Sequence, residues 1–245
     1  MADEKLGGRA ALVTGGSGGI GRALVGRLAT AGCHVAVSYA SGAASAHEAV
    51  AEATTAGVRA VALHADLTHP DAAIILAQQA TEALGPIDVL IPNAGLSVRT
   101  DLAGVDLKLW QRTLTVNLTA PFLLAQQLVP GMAERGFGRL LFVSSVAAFT
   151  GGMVGPHYAA SKAGLHGLVY WLATHYASHG VTVNALAPAL IEGTTMMPAT
   201  TEDAARIPIG RFGTTSETAD LAITMLTNGY LTGKVYLLDG GIHPH

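Results

Sequence analysis

The sequence predicts an α/β fold: a single doubly wound, seven-stranded parallel sheet with helices on both faces. Two observations carry this. Seven short apolar runs recur along the 245 residues without alternating with polar side chains, the pattern of strands buried on both faces. Between them lie longer segments with apolar residues at three- and four-residue steps, the spacing of amphipathic helices. Strand–helix alternation sustained over the whole length requires parallel strands joined by crossovers.

The runs occupy residues 9–13, 34–37, 59–63, 89–91, 139–143, 181–186 and 235–238 and are rich in Val, Leu and Ala. After Gly18, the residues Ile20, Ala23, Leu24, Leu28 and Ala31 repeat at helical spacing. His69-Pro70-Asp71 opens another helix, with Pro at an early position where its missing N–H costs nothing. Segments 106–134 and 154–179 read as long helices. No linker, repeat or low-complexity tract interrupts this order, so residues 1–245 form one domain.

Composition narrows the function. Half of the residues are hydrophobic and 13% are charged, which excludes disorder. The net charge of -3 and the lack of a basic block speak against nucleic-acid binding. No signal sequence and no long uncharged apolar stretch is visible, so no membrane partner is expected. The single Cys33 cannot form an intramolecular disulfide, which fits a reducing, cytoplasmic setting. Ten histidines without an HExxH pair, and one Cys, provide no metal site.

Thr14-Gly15-Gly16-Ser17-Gly18-Gly19-Ile20-Gly21 follows the first run and opens the first helix. A chain that turns sharply there and approaches a pyrophosphate closely needs glycine. The helix N-terminus then offers free N–H groups and partial positive charge to phosphates. This defines a Rossmann-type dinucleotide fold, with Gly15, Ser17, Gly18, Gly19, Ile20 and Gly21 as candidate cofactor contacts. Ala65-Asp66-Leu67 and Pro92-Asn93-Ala94-Gly95 close the third and fourth runs, where ligands of open sheets lie. Asp66 can accept from an adenine amino group or serve only as a turn residue.

Ser144-Ser145 ends the fifth run. Tyr158 and Lys162 stand four apart, on one face of a helix. A phenol of pKa about 10 is a poor base at neutral pH. A nearby ammonium and an oxidised nicotinamide would favour the phenolate. Ser145 could polarise the same substrate oxygen. Taken alone, a Tyr and a Lys at this spacing are an ordinary surface pair.

Together, these separated motifs resemble the short-chain dehydrogenase/reductase family, from Arg9 to Gly241, with a 3-oxoacyl-(acyl-carrier-protein) reductase flavour. Thr14-Gly15-x-x-x-Gly19-x-Gly21 and Asn93-Ala94-Gly95 match two of its motifs, and Ser145 precedes Tyr158 by the family's usual 13 residues. The resemblance implies a hydride exchange between NADP(H) and a ketone or secondary alcohol. Tyr158 is then the acid/base, Lys162 holds the nicotinamide ribose and lowers the Tyr pKa, Ser145 orients the substrate oxygen, and Asn117 holds a relay water. Leu67, Asn93, Ala94, Gly95, Pro188, Ala189, Ile191 and Thr194 fall at family cofactor positions.

The chain departs from the family in Pro188-Ala189, where Pro-Gly is usual, and in a short lid after Thr194. The second run ends in Val37-Ser38-Tyr39-Ala40-Ser41, with no acid to repel a 2′-phosphate. Tyr39 and Ser41 could bind that phosphate, so NADP is preferred and NAD is possible. Gly136 and His179 stand where carrier-protein reductases place basic residues, which makes a small free ketone or alcohol a comparable substrate. Ser97, Val98, Met153, Val154, His157, Leu190 and Met196 are pocket candidates, with His157 read as a pocket or surface residue. The family pairs its long helices in homodimers and homotetramers. A non-catalytic dinucleotide-binding regulator on the same fold is the alternative, but it has no need of the full set Asn117, Ser145, Tyr158 and Lys162. A third, still enzymatic reading, an epimerase or dehydratase, fits poorly with the short lid.

Overall fold

The computed structural model describes residues 6–194, 204–205 and 207–243. Its strands are β1 (Ala10–Val13), β2 (His34–Tyr39), β3 (Ala60–His64), β4 (Val89–Ile91), β5 (Gly138–Val143), β6 (Val181–Pro188) and β7 (Val235–Leu238). They form one parallel sheet in the order β3-β2-β1-β4-β5-β6-β7. The order reverses between β1 and β4, which opens a crevice at the carboxyl ends of those strands.

The helices are α1 (Gly19–Thr30), α2 (Ala43–Thr55), α3 (Pro70–Leu84), α4 (Leu107–Leu114), α5 (Ala120–Glu134), α6 (Ala147–Thr150), α7 (Pro156–Tyr176) and α8 (Thr215–Thr227). Successive strand residues face opposite sides of the sheet. Leu12, Leu90, Leu140 and Phe142 pack with Leu76 of α3, Leu124 of α5 and Val169 of α7. Val13, Ile91, Leu141 and Val143 pack with Leu24 of α1, Ala49 of α2 and Ala222 of α8. Both faces are thus dry, as the unbroken apolar runs require. The edges differ: β3 is only half-buried, and Tyr236 of β7 is exposed.

The segment read as one helix over 106–134 is interrupted. α4 passes into a π-helical turn, Thr115–Thr119, before α5 begins. Inserted turns of this kind interrupt the regular bonding ladder and are frequent at functional sites. The other long helix, α7, ends in a 3-10 turn at Ala177–His179.

Candidate active site

Backbone geometry builds the phosphate cradle. Gly15 has φ +64° and Gly19 φ +51°, conformations that side chains resist. A Cβ on Gly21 would lie 2.1 Å from the Gly15 carbonyl oxygen and 2.7 Å from Asn93 Nδ2. The turn is held from β4. Thr14 Oγ1 accepts from the backbone N–H groups of Asn93 (3.0 Å) and Ala94 (2.9 Å). Asn93 Nδ2 donates to the carbonyls of Thr14 (3.0 Å) and Gly15 (3.1 Å). The side-chain amide of Asn93 therefore shapes the cradle. Thr14, the first residue of the glycine motif, has the same duty. Beyond the glycines, Ile20 turns into the core. The cradle fits a dinucleotide pyrophosphate, because the close approach is made by atoms that a Cβ would displace.

Ser17 and Gly42 face each other beyond the cradle; an ideal Cβ on Gly42 would lie 4.0 Å from Ser17 Oγ. Gly42 caps α2 with φ 73° and no side-chain cap, and Ser41 beside it is exposed. Tyr39 lies between His47 (ring centroids 6.3 Å) and His64 (5.5 Å). The two acids of α2, Glu48 and Glu52, are both paired with Arg22, at 3.0 and 2.6 Å. Asp66 has the turn geometry among its two readings: its Oδ1 accepts from Thr68 N and Oγ1. These bonds lower its pKa, the backbone one most. Leu67 is buried beside it.

At the other end of the crevice, Tyr158 is 3% exposed on α7. Burial pushes its pKa up, and a hydrogen bond with Ser145 opposes that. Lys162 is also 3% exposed, and burial pulls its pKa down to about 8. Its Nζ donates to the Val143 carbonyl (2.7 Å) and lies 5.9 Å from the Tyr158 ring centroid. Ser145 joins Lys162 in the surroundings of the Tyr158 phenol: its hydrogen bond opposes the effect of burial, and the Lys162 ammonium stands near the same ring.

An ideal Cβ on Gly95 would lie 3.6 Å from Lys162 Nζ and 3.7 Å from Asn117 Oδ1, so these residues meet around the end of β4. The Asn117 side chain is committed. It accepts from Leu96 N (2.7 Å) and donates to Leu96 O and Ser161 Oγ, both at 3.0 Å. A relay water would have to use its backbone. Ser161, missed in the sequence, also donates to the Tyr158 carbonyl (2.7 Å).

His157 does not line a pocket or the surface. It is fully buried, under Gly155, and neither ring nitrogen has a protein partner among the described residues. One residue along a helix points about 100° away, and here that direction is inward. Val98 and Met153 are exposed, and Thr100 N donates to Val154 O (2.9 Å), tying these two loops together. After Pro188, Ala189 is buried without a left-handed turn, which falls on Leu190 (φ 52°) instead. Ile191 bridges to Gly213. Thr194 Oγ1 donates to Ile191 O (2.9 Å), and its Cγ2 would meet a Gly19 Cβ at 3.4 Å, so this loop reaches the cradle. Met196 and most of the lid lie outside the described residues.

The fold, the cradle and the group formed by buried Tyr158 and Lys162 with half-buried Ser145 define a dinucleotide-binding oxidoreductase. A family model described as short chain dehydrogenase matches residues 9–205, and the chain belongs to this family, the NAD(P)-dependent short-chain dehydrogenases/reductases. Acetoacetyl-CoA reductase of Allochromatium vinosum is 37% identical over 97% of this chain and 99% of its own length. The 3-oxoacyl-[acyl-carrier-protein] reductase of Synechocystis sp. is 35% identical over 95% of this chain and 96% of its own. Among solved structures, a blue fluorescent protein from a metagenomic library, in complex with NADPH, superposes with a TM-score of 0.91 at 34% identity, covering 98% and 99% of the two chains. Among the described residues no helix is long and apolar enough to cross a membrane, and no cluster could hold a metal ion.

Proposed function

We propose that this protein reduces a ketone to a secondary alcohol with NADPH, or runs the reverse, with Tyr158 as the acid/base. The observation that carries this is the Ser145–Tyr158 hydrogen bond beside buried Lys162, at the crevice end facing Gly95 and Asn117. Bound NADPH would supply the hydride to the carbonyl carbon. Tyr158 gives its phenolic proton to the carbonyl oxygen, and Ser145 hydrogen-bonds that oxygen as its charge develops. Lys162, one donor spent on Val143, keeps two for the nicotinamide ribose. Asn117 holds Leu96 and α7 in register, and its backbone offers the position for a relay water.

The 2′-phosphate preference rests on three features. β2 ends without an acid, both acids of α2 are drawn onto Arg22, and Ser17 lies close to Gly42 at the start of α2, next to exposed Ser41. For the substrate, a small free ketone or a thioester is favoured over a large carrier protein. Arg135, the cation nearest the expected carrier grip, is tied to Ile87 O (2.8 Å) and Asp88 (3.2 Å). A homodimer or homotetramer is supported by an apolar groove between α5 and α7, lined by Leu118, Phe122, Gly164, Gly167 and Leu168. The buried lone thiol of Cys33 suits the cytoplasm.

The test follows NADPH absorbance with acetoacetyl-CoA and a panel of small free ketones. Turnover with at least one is expected. No turnover in either direction contradicts the reading, and tighter binding of NADH than NADPH overturns the cofactor preference.

A further inference from the structure

Tyr158, Lys162 and His166 stand four residues apart and share one face of α7. The end of β5 lies along that face and grips it three times. Ser145 bonds Tyr158. The Val143 carbonyl accepts from Lys162 Nζ at 2.7 Å. Ser144 Oγ donates to the Lys162 carbonyl (3.3 Å) and lies 2.9 Å from His166 Nε2. Three consecutive residues of the strand end therefore hold three consecutive turns of the helix.

The Ser144 hydroxyl is turned away from the crevice. Ser144 is 2% exposed, and both side-chain contacts go to α7. A hydroxyl has one proton to give. When His166 Nε2 carries its own hydrogen, it donates to Ser144 Oγ, which then donates to the Lys162 carbonyl, so the serine hydroxyl both accepts and donates. The imidazole is fixed on its other side by Phe149 of α6, with ring centroids 4.9 Å apart. Phe149 in turn lies 6.3 Å from the ring of His243. An apolar side chain at 166 could fill the same space but could not hold Ser144.

We propose that the Ser144–His166 hydrogen bond is a clasp that sets the neighbouring Ser145 against Tyr158, which makes His166 a positioning residue for the proton transfer. The inference rests on the reading of Tyr158 given above. Ser144 and Ser145 are joined by one peptide unit, so fixing the first restricts where the second can aim. Misplacement of a reacting group by about 1 Å costs up to about a hundredfold in rate.

The experiment compares His166→Leu, His166→Gln, Ser144→Ala and the double variant His166→Leu/Ser144→Ala. It uses NADPH and the most active ketone of the panel for reduction, and the matching alcohol for oxidation. His166→Leu and Ser144→Ala are each expected to lower kcat about tenfold, with the KM for NADPH near the wild-type value. The acid limb of the oxidation pH profile moves to higher pH, because the Ser145 bond that lowers the Tyr158 pKa is loosened. The double variant is no slower than either single one, and Gln, which can reach Ser144 with its amide, restores most of the loss. Unchanged kcat and acid limb in His166→Leu overturn the clasp, as does an additive double variant or a Gln no better than Leu. If His166→Leu does not fold, Ser144→Ala with His166→Gln decides by the same criteria. Tyr158→Phe is assayed alongside. Its near-normal turnover would remove the acid/base reading and the clasp with it, whereas an inactive Tyr158→Phe beside an unaffected Ser144→Ala removes the clasp alone.

Discussion

At the β1–α1 turn the crevice is made of backbone, and at the β5–α7 junction it is made of side chains. The first region has no atoms to spare: Gly21 has no space for a Cβ, and Gly15 and Gly19 hold left-handed turns. The second consists of polar groups withdrawn from water, with Tyr158 and Lys162 each 3% exposed and each matched to a partner on β5 or just after it. Adding a methyl group should therefore damage the first region, and deleting a polar atom the second. The first binds by close approach; the second acts because its groups are desolvated, which makes their charges adjustable.

The largest expected effect tests the first half of this contrast. Gly21→Ala places a carbon 2.1 Å from the Gly15 carbonyl oxygen, so the cradle must open. NADPH binding, followed by fluorescence, should become undetectable, with a loss of about 1–3 kcal/mol in stability from overpacking. Binding within severalfold of wild type would break the comparison.

Lys162→Met tests the other half and separates function from stability. Turnover should fall by about a hundredfold or more, as a charge facing the reacting centre is lost. Stability moves the other way with pH. The folded-state pKa of Lys162, about 8, lies below its ordinary 10.5. Below pH 8 the group is charged in both states and its burial cost is fully present. That cost fades as pH rises from about 8 to 10.5, so the wild type gains stability across this window and the variant does not. Thermal melts at pH 7 and pH 10 should show the variant relatively more stable at the lower pH.

Gly18→Arg sharpens the contrast inside the cradle itself. Gly18 has φ -159°, and nothing lies within 4 Å of an added Cβ, so this glycine alone tolerates a side chain. NADPH should bind about tenfold tighter through a charge-assisted bond to its 2′-phosphate, with NADH unchanged. Equal gains for both cofactors would misplace the phosphate.

The smallest effect belongs to a surface charge outside both regions. Arg211 first, then the backbone of Thr214, hold Glu217 down to a pKa of about 2 at the capping box of α8. That support is present above the ordinary 4.5 and is lost as pH falls through about 2. Glu217→Gln should lower the melting temperature slightly at pH 7, make no difference near pH 2 and leave turnover intact.

The same contrast explains what could be read in the sequence. Glycines that need close approach leave a fixed pattern next to a strand, so the cradle is legible in the sequence itself. The Tyr158–Lys162 spacing and the runs at 89–91 and 235–238 were legible for the same local reason. Partners contributed from elsewhere in the fold were not. Asn93 lies next to the crevice in sequence but spends its amide on Thr14 and Gly15, and that choice depends on how β4 packs beside β1. Nothing local marks Thr115–Thr119 as a π turn, since those residues suit any helix. The burial of His157 and the pairing of Ser144 with His166 depend on how α7 is rotated against its neighbours, and the apolar pattern sets that rotation only coarsely.

The most direct test of the central claim is Tyr158→Phe, which removes one oxygen and keeps the ring. The account predicts that NADPH-dependent ketone reduction falls by about 10²–10⁴-fold, while NADPH affinity measured by fluorescence stays close to wild type. Near-normal turnover in a variant that still binds NADPH would contradict it.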